Sequence, residues 1–215
     1  LEVSWNRLIA TVNEQAAALM RTSFTSIVRE AGDLSAGVFD RSGRMVAQAG
    51  TGTPGLINSM ATSMGHVLAE FPVDTLAEGD VIITNDPWKT ASQLNDIPIF
   101  TQDFKAGRCV AFIANCCHAL DIGGRGLSAD SREIYEEGLQ IPILKLYEAG
   151  KPNKTLYAML TANVRATEEV LGDLHSQVVG NEVGAKQLLS FLDEFGLDDI
   201  EEVSEAIVSR SEAAM

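Results

Sequence analysis

Between Asn85 and Gly126 the chain concentrates groups able to bind a metal or move a proton. They come as Asn85-Asp86-Pro87-Trp88, then Ser92-Gln93-Leu94-Asn95-Asp96, then His118-Ala119-Leu120-Asp121-Ile122-Gly123-Gly124. Carboxylates, amides and one imidazole flank two short apolar runs, as expected when strands present polar groups at their ends. Val81–Thr84 ends at Asn85-Asp86, the strand beginning at Ile97 is entered through Asp96, and the strand ending at Cys116 delivers His118 and Asp121. If these strands are neighbours, the four polar groups meet at one rim of a sheet. One imidazole with two or three carboxylates is an oxygen-rich donor set, better suited to Mn²⁺ or Mg²⁺ than to structural Zn²⁺. His118 is equally suited to general acid or base work near neutral pH. Taken singly, Asp86 reads as a turn cap, Asp96 as a loop cap and His118 as a structural residue; only their grouping suggests a site. The remaining histidines, His66 and His175, fall on helical segments and read as surface residues.

Other features are weaker. Gly123-Gly124-Arg125-Gly126 has the makings of an anion nest, although a plain tight turn explains it as well and the phosphate-loop pattern is incomplete. The three cysteines, Cys109, Cys116 and Cys117, lie in an apolar run and read as buried free thiols. A nucleophilic Cys117 is awkward, because His118 is its strand neighbour and points to the opposite face.

The elements that must position these groups follow from periodicity. Trp5, Leu8, Ile9, Val12, Ala16, Leu19 and Met20 form the stripe of a long opening helix. Asp33 to Ala49 reads as a hairpin turning at Asp40-Arg41-Ser42-Gly43, and Ile97–Phe104 with Arg108–Cys116 as a second hairpin. The second arm of that hairpin is apolar throughout, which predicts a central strand. Thr51 to Gly55 is a special loop, with Asn58 or Ser59 as the cap of the helix after it. From Ser131 the chain reads as largely helical apart from Ile141–Leu146; Thr167 is the expected N-cap of a long helix and Gly196 its stop. Gly172, Gly180 and Gly184 within that helix mark either breaks or close helix contacts. The fold class is therefore α+β: a mixed sheet built from hairpins, a long N-terminal helix and a helical C-terminal third.

The chain has 215 residues, 46% of them hydrophobic, and a formal net charge of −14. The excess acid argues against nucleic acid as a partner. No apolar run reaches membrane-spanning length and no signal-peptide pattern is present, so a cytoplasmic home is the simplest expectation. Asp193, Glu194, Asp198, Asp199, Glu201, Glu202 and Glu205 cluster near the C-terminus, where they read as a solvated face or as a docking surface for a basic partner.

Many ordered pieces together resemble the hydantoinase B / 5-oxoprolinase B family, to which the large subunits of acetone and acetophenone carboxylases are related. They include Arg21-Thr22-Ser23-Phe24, Glu30 with Asp33-Leu34-Ser35, Gly43-Arg44-Met45-Val46-Ala47-Gln48, Asn85-Asp86-Pro87-Trp88, Glu136-Glu137-Gly138-Leu139-Gln140-Ile141-Pro142, Ala162-Asn163-Val164-Arg165 and Gly172-Asp173-Leu174. The resemblance spans 1–196, leaving 197–215 as an acidic helical extension that starts a following segment, and it identifies the chain as an N-terminal portion. It implies the large subunit of an ATP-dependent cyclic amide hydrolase, of hydantoin or oxoproline type, acting on a substrate phosphorylated by an ATP-binding hydantoinase A-like partner in a hetero-oligomer. The alternatives it implies are a subunit of an ATP-dependent ketone carboxylase, or a degenerate large subunit with a structural role. A divalent metal (Mn, Zn or Mg) is implied, with the metal ligands falling on Gln93, Asp96 and His118 and with Asp121 as a further candidate. His118, Asp121, Glu30 and Asp33 are the candidate catalytic residues. Gln93 and Leu56 stand where the family usually has histidine.

Overall fold

A computed structural model of the chain describes residues 2–90, 93–126 and 128–214. The elements run α1 (Glu2–Thr22), α2 (Ser26–Arg29), β1 (Leu34–Phe39), β2 (Met45–Gln48), α3 (Pro54–Glu70), β3 (Val81–Ile83), β4 (Asp96–Lys105), β5 (Arg108–His118), α4 (Ile134–Glu137), β6 (Leu144–Glu148), β7 (Lys151–Pro152), α5 (Lys154–Asn163), α6 (Thr167–Phe195) and α7 (Glu201–Ala214). The class is α+β, and among the described residues seven strands form one sheet ordered β2-β1-β5-β4-β3-β6-β7. Every pairing is antiparallel, so the sheet expected to be mixed has a single sense: the hairpins β1/β2, β4/β5 and β6/β7 set it, and the connections between them keep it.

The continuous apolar run of β5 is explained by burial on both faces. Ala111, Ile113 and Cys117 pack into a core with Leu8, Val12, Ala16 and Leu19 of α1 and Leu188, Phe191 and Leu192 of α6. Phe112, Ala114 and Cys116 pack on the other side against Met60, Met64 and Val67 of α3. A third core joins Ile83, Ile97 and Ile99 to Leu156, Leu160 and Leu174. The stripe of α1 is narrower than its periodicity suggests, because Trp5 stands 44% exposed on the outer side.

The glycines of α6 mark close contact. A Cβ on Gly180 would sit 3.2 Å from Leu19 Cβ, and one on Gly184 would sit 3.1 Å from Ile113 and 3.3 Å from Gln15. These two positions let α6 lie directly on α1 and β5, which outweighs the roughly 1 kcal/mol propensity cost of each. Gly196 ends the helix in the left-handed conformation, with φ 64°.

Two cap expectations change. Helix α3 begins at Pro54 rather than after Asn58 or Ser59, because proline in the first turn has no N–H to leave unpaired and its φ suits the helix. Ser59 instead donates to Gly55 O at 3.0 Å. Thr167 is the first residue of α6, not its cap, and makes no capping bond there.

The region from 197 on is packed against the rest. Ile200, Val203 and Ile207 enter the core that contains Leu8 and Val38. Ser204 Oγ donates to the buried Asp40 Oδ2 at 2.6 Å. Burial works against the Asp40 charge, yet hydrogen bonds from Ser204, Ser42 and Arg44 outweigh it and hold the carboxyl below its ordinary range. Much of the acidic run is spent inside the chain: Asp193 pairs with Lys105 at 2.9 Å, Glu194 with Arg7 at 3.1 Å, Asp199 with Arg108 at 2.8 Å and Glu205 with Arg44 at 2.8 Å. Among the described residues no helix is long and apolar enough to cross a membrane.

Candidate functional site

Three neighbouring strands meet at one rim of the sheet. Leu34 pairs with Cys117 and Asp96 lies directly opposite His118. Asp33 therefore stands at the entrance of β1, His118 at the exit of β5 and Asp96 at the start of β4. The alternation along β5 turns Phe112, Ala114 and Cys116 toward α3, and His118 follows in that phase. The ends of β5 and β4 are tied by Ala119 N donating to Asn95 O at 2.7 Å and Asn95 Nδ2 donating to Ala119 O at 2.8 Å.

Contacts converge on one ring nitrogen. His118 Nδ1 lies 3.0 Å from Asp96 Oδ1, 3.3 Å from the Gln93 amide and 3.9 Å from Asp33 Oδ2. Asp33 is itself held, accepting from Thr53 Oγ1 at 2.6 Å. Asp33, Gln93 and Asp96, with Thr53, Gly55, Leu56, Ser59, Pro87 and Thr90, line a cleft of about 520 Å³ between this rim and the first turns of α3. His118 and Asp96 are 6% and 3% exposed, so the imidazole–carboxylate pair is shielded from open water.

Asp121 is directed elsewhere. Its Oδ1 accepts from Gly123 N at 2.9 Å and Arg165 Nη1 at 3.0 Å, and its Oδ2 accepts from the backbone N–H groups of Arg165 and Ala166. Burial opposes its charge, but the N–H groups of Gly123, Arg165 and Ala166 and the Arg165 guanidinium hold the carboxyl below its ordinary range. It thus satisfies backbone donors just ahead of α6, the task expected of Thr167. Of the three residues that sequence would bring together, Asp96 and His118 are in direct contact, with Asp33 3.9 Å from the imidazole, whereas Asp121 is not among them. Glu30 is exposed and pairs with Arg29 at 3.0 Å.

Asn85 and Asp86 organise the loop around the site. Asn85 donates to Leu94 O and Leu139 O at 2.7 and 3.0 Å and accepts from Ile141 N at 2.5 Å. Asp86 Oδ1 accepts from Trp88 N at 3.0 Å. The glycine run is a turn rather than a nest: the Gly123 and Gly124 carbonyls face Arg165, while Arg125 pairs with Glu136 at 3.4 Å. Burial pushes the Cys116 and Cys117 thiols far above their ordinary value, which removes a thiolate nucleophile. His66 and His175 are exposed on α3 and α6.

Periodicity alone misses a buried amide network under the site. Gln15 Nε2 donates to Asn181 Oδ1 at 2.8 Å and to Ala114 O at 2.9 Å; Asn115 Nδ2 donates to Asn181 Oδ1 at 2.6 Å. Gln177 Nε2 donates to Asn115 Oδ1 at 2.9 Å and to Ile97 O at 2.8 Å. The signal available was one amide, Asn115, inside the apolar run of β5.

Among the described residues no three His, Cys, Asp or Glu side chains already stand in a metal-binding arrangement. The donor types, two carboxylates, an imidazole and an amide oxygen, are those that divalent cations take, and all four side chains gather around His118 Nδ1, with Asp96 Oδ1 at 3.0 Å, the Gln93 amide at 3.3 Å and Asp33 Oδ2 at 3.9 Å.

The chain is 35% identical to caprolactamase subunit beta of Pseudomonas jessenii over 190 residues, covering 87% of this chain and 32% of that protein. The crystal structure of the ATP-dependent caprolactamase from that organism superposes with a TM-score of 0.87 at 32% identity, over 96% of this chain and 36% of the other. An acetone carboxylase in its nucleotide-free state shares the fold, with a TM-score of 0.82 at 17% identity over 94% of this chain and 27% of that one. The chain spans about a third of the length of the curated relatives it matches first. The profile of the hydantoinase B/oxoprolinase family matches residues 1–215, and the chain belongs to that family.

Proposed function

We propose that this chain serves in the large subunit of an ATP-dependent cyclic amide hydrolase, in which an ATP-using partner subunit activates the amide by phosphorylation and this subunit completes ring opening. The observation that carries the reading is the convergence of Asp33, Gln93, Asp96 and His118 beside the cleft at the α3 end of the sheet. The likeness to a caprolactamase subunit supports hydrolysis over ketone carboxylation, since the carboxylase likeness is one of fold.

In this reading His118 takes a proton from a water as its oxygen attacks the carbon bearing the phosphoryloxy group; both protons of that water end on the ring nitrogen as the C–N bond breaks, giving a ring-opened acyl phosphate, from which a second water releases inorganic phosphate. Asp96 orients the imidazole through Nδ1. Thr53 keeps the Asp33 carboxylate aimed at the same point. Where a divalent cation is bound instead, Asp33, Asp96 and His118, with the Gln93 amide oxygen, would hold Mn²⁺, Zn²⁺ or Mg²⁺, His118 then serving as a ligand rather than as the base, and such a cation would supply Lewis acidity to the substrate oxygen. Asp121 is outside this donor set because its oxygens are already used.

The test is lactam turnover by the full-length subunit purified with its ATP-using partner. His118→Ala and Asp96→Asn should each lower kcat by roughly 10²–10⁴-fold with the complex intact, and Asp96→Asn should also reduce bound metal measured by mass spectrometry. Unchanged turnover in both variants would assign the chain a structural role instead.

A further inference from the structure

We infer that this cleft selects amides whose ring bears no carboxylate; the inference rests on the hydrolase reading and narrows its substrate class. The residues lining the cleft are Asp33, Thr53, Gly55, Leu56, Ser59, Pro87, Thr90, Gln93 and Asp96. Two are carboxylates, three carry hydroxyls, one is an amide and the others are apolar or glycine; none is Lys or Arg. The nearest cation along the lining loop, Lys89, is not part of the wall and stands 3.9 Å from Asp86 Oδ2. Arg165 is bound to Asp121 and to the Gly123 and Gly124 carbonyls, and Arg125 to Glu136.

Among the described residues the positive feature of the lining is the start of α3, where Thr53, Gly55 and Leu56 face the cleft. A helix N-terminus is equivalent to about half a charge, set against two full carboxylates. A divalent cation on Asp33 and Asp96 would only bring the formal charge of the wall to zero and would leave no side-chain cation for a second anionic group. Leu56 and Pro87 further line the wall with apolar surface, which suits ring methylenes and gives a carboxylate no hydrogen-bond donor. Recognition of a ring carboxylate takes a paired cation or several N–H donors, and the described lining offers neither.

The experiment uses two matched pairs that differ by one carboxylate: γ-butyrolactam against 5-oxoproline, and δ-valerolactam against its 6-carboxylate. Turnover is measured with the full-length subunit purified with its partner, with and without a Ser59→Lys substitution. Ser59 lies one turn beyond Leu56 on the cleft side of α3 and is only half-buried, so the longer side chain has room. The neutral member of at least one pair should have a kcat/KM about 100-fold or more above its carboxylate, since like-charge placement is strongly disfavoured. Ser59→Lys should shrink that ratio at least about tenfold. A carboxylate favoured equally or better in both pairs overturns the inference and leaves the hydrolase reading standing. A ratio unmoved by Ser59→Lys also overturns it, because the ring substituent then lies away from this wall. Failure to hydrolyse any of the four amides, or the neutral rings hydantoin and caprolactam, removes the hydrolase reading and the inference with it.

Discussion

Replacing Asp103 with asparagine tests the energetics of the sheet most directly. Asp103 is 5% exposed on β4, beside the irregularity at Asp103/Phe104, and its Oδ2 has no hydrogen-bond partner among the described residues. Burial, reinforced by the nearby Glu78 charge, outweighs the Phe104 N–H and raises the carboxyl from 3.8 to about 7. Between those values the unfolded chain carries the charge while the folded chain keeps the proton. Protons therefore favour folding here, and the stability this group confers at low pH is lost as pH rises through about 7. A shift of about three units is worth roughly 4 kcal/mol in full, of which about 2–3 kcal/mol falls between pH 5 and pH 8. Asparagine keeps the shape and removes the titration. Urea unfolding at pH 5, 6, 7 and 8 should show the advantage of Asp103→Asn over the parent growing by that 2–3 kcal/mol. An advantage that stays constant across the series would mean that Asp103 is solvated or paired, and would refute the reasoning.

Two further outcomes follow from packing and backbone satisfaction. Asp121→Ala should cost roughly 2–4 kcal/mol, because it strands the N–H groups of Gly123, Arg165 and Ala166 along with the Arg165 guanidinium; hydrogen exchange should quicken first at Arg165–Val170, whereas protection unchanged there would deny Asp121 its capping role. Gly184→Leu should destabilise by about 2 kcal/mol or more, since even a Cβ there meets Ile113 and Gln15 at 3.1 and 3.3 Å; a thermal midpoint equal to the parent's would show that α6 can move off β5 freely.

Much of this fold could be read from pattern. The central place of β5 follows from its unbroken apolar run, and the hairpins follow from Asp40–Gly43 and Lys105–Gly107. His118 and Asp96 could be paired in advance because each abuts a strand end. Asp121 has the same appearance in sequence, and what separates it is Arg165, more than forty positions later, whose backbone and side chain claim it. Asp33 shows the converse: its value lies in β1 pairing with β5, a neighbour far along the chain. Local pattern reports which groups sit at strand ends, whereas long-range pairing decides which of them share a space. The acidic C-terminal run was ambiguous for the same reason, since its partners Arg7, Arg44, Lys105 and Arg108 come from a distant helix, a distant turn and two distant strand ends.

The amide lattice formed by Gln15, Asn115, Gln177 and Asn181 has a consequence for how this scaffold can vary. Greasy contacts tolerate sliding, but directional donors and acceptors accept one offset and reject its neighbours. Two helices and the middle of the sheet are therefore keyed to one another like the wards of a lock, a short distance behind the strand end that carries the imidazole. Any attempt to graft this rim onto another framework, or to exchange α6 for a foreign helix, must carry all four side chains together. Moving one alone would leave its companions dry and unmatched, and the alignment of the rim would be lost with them.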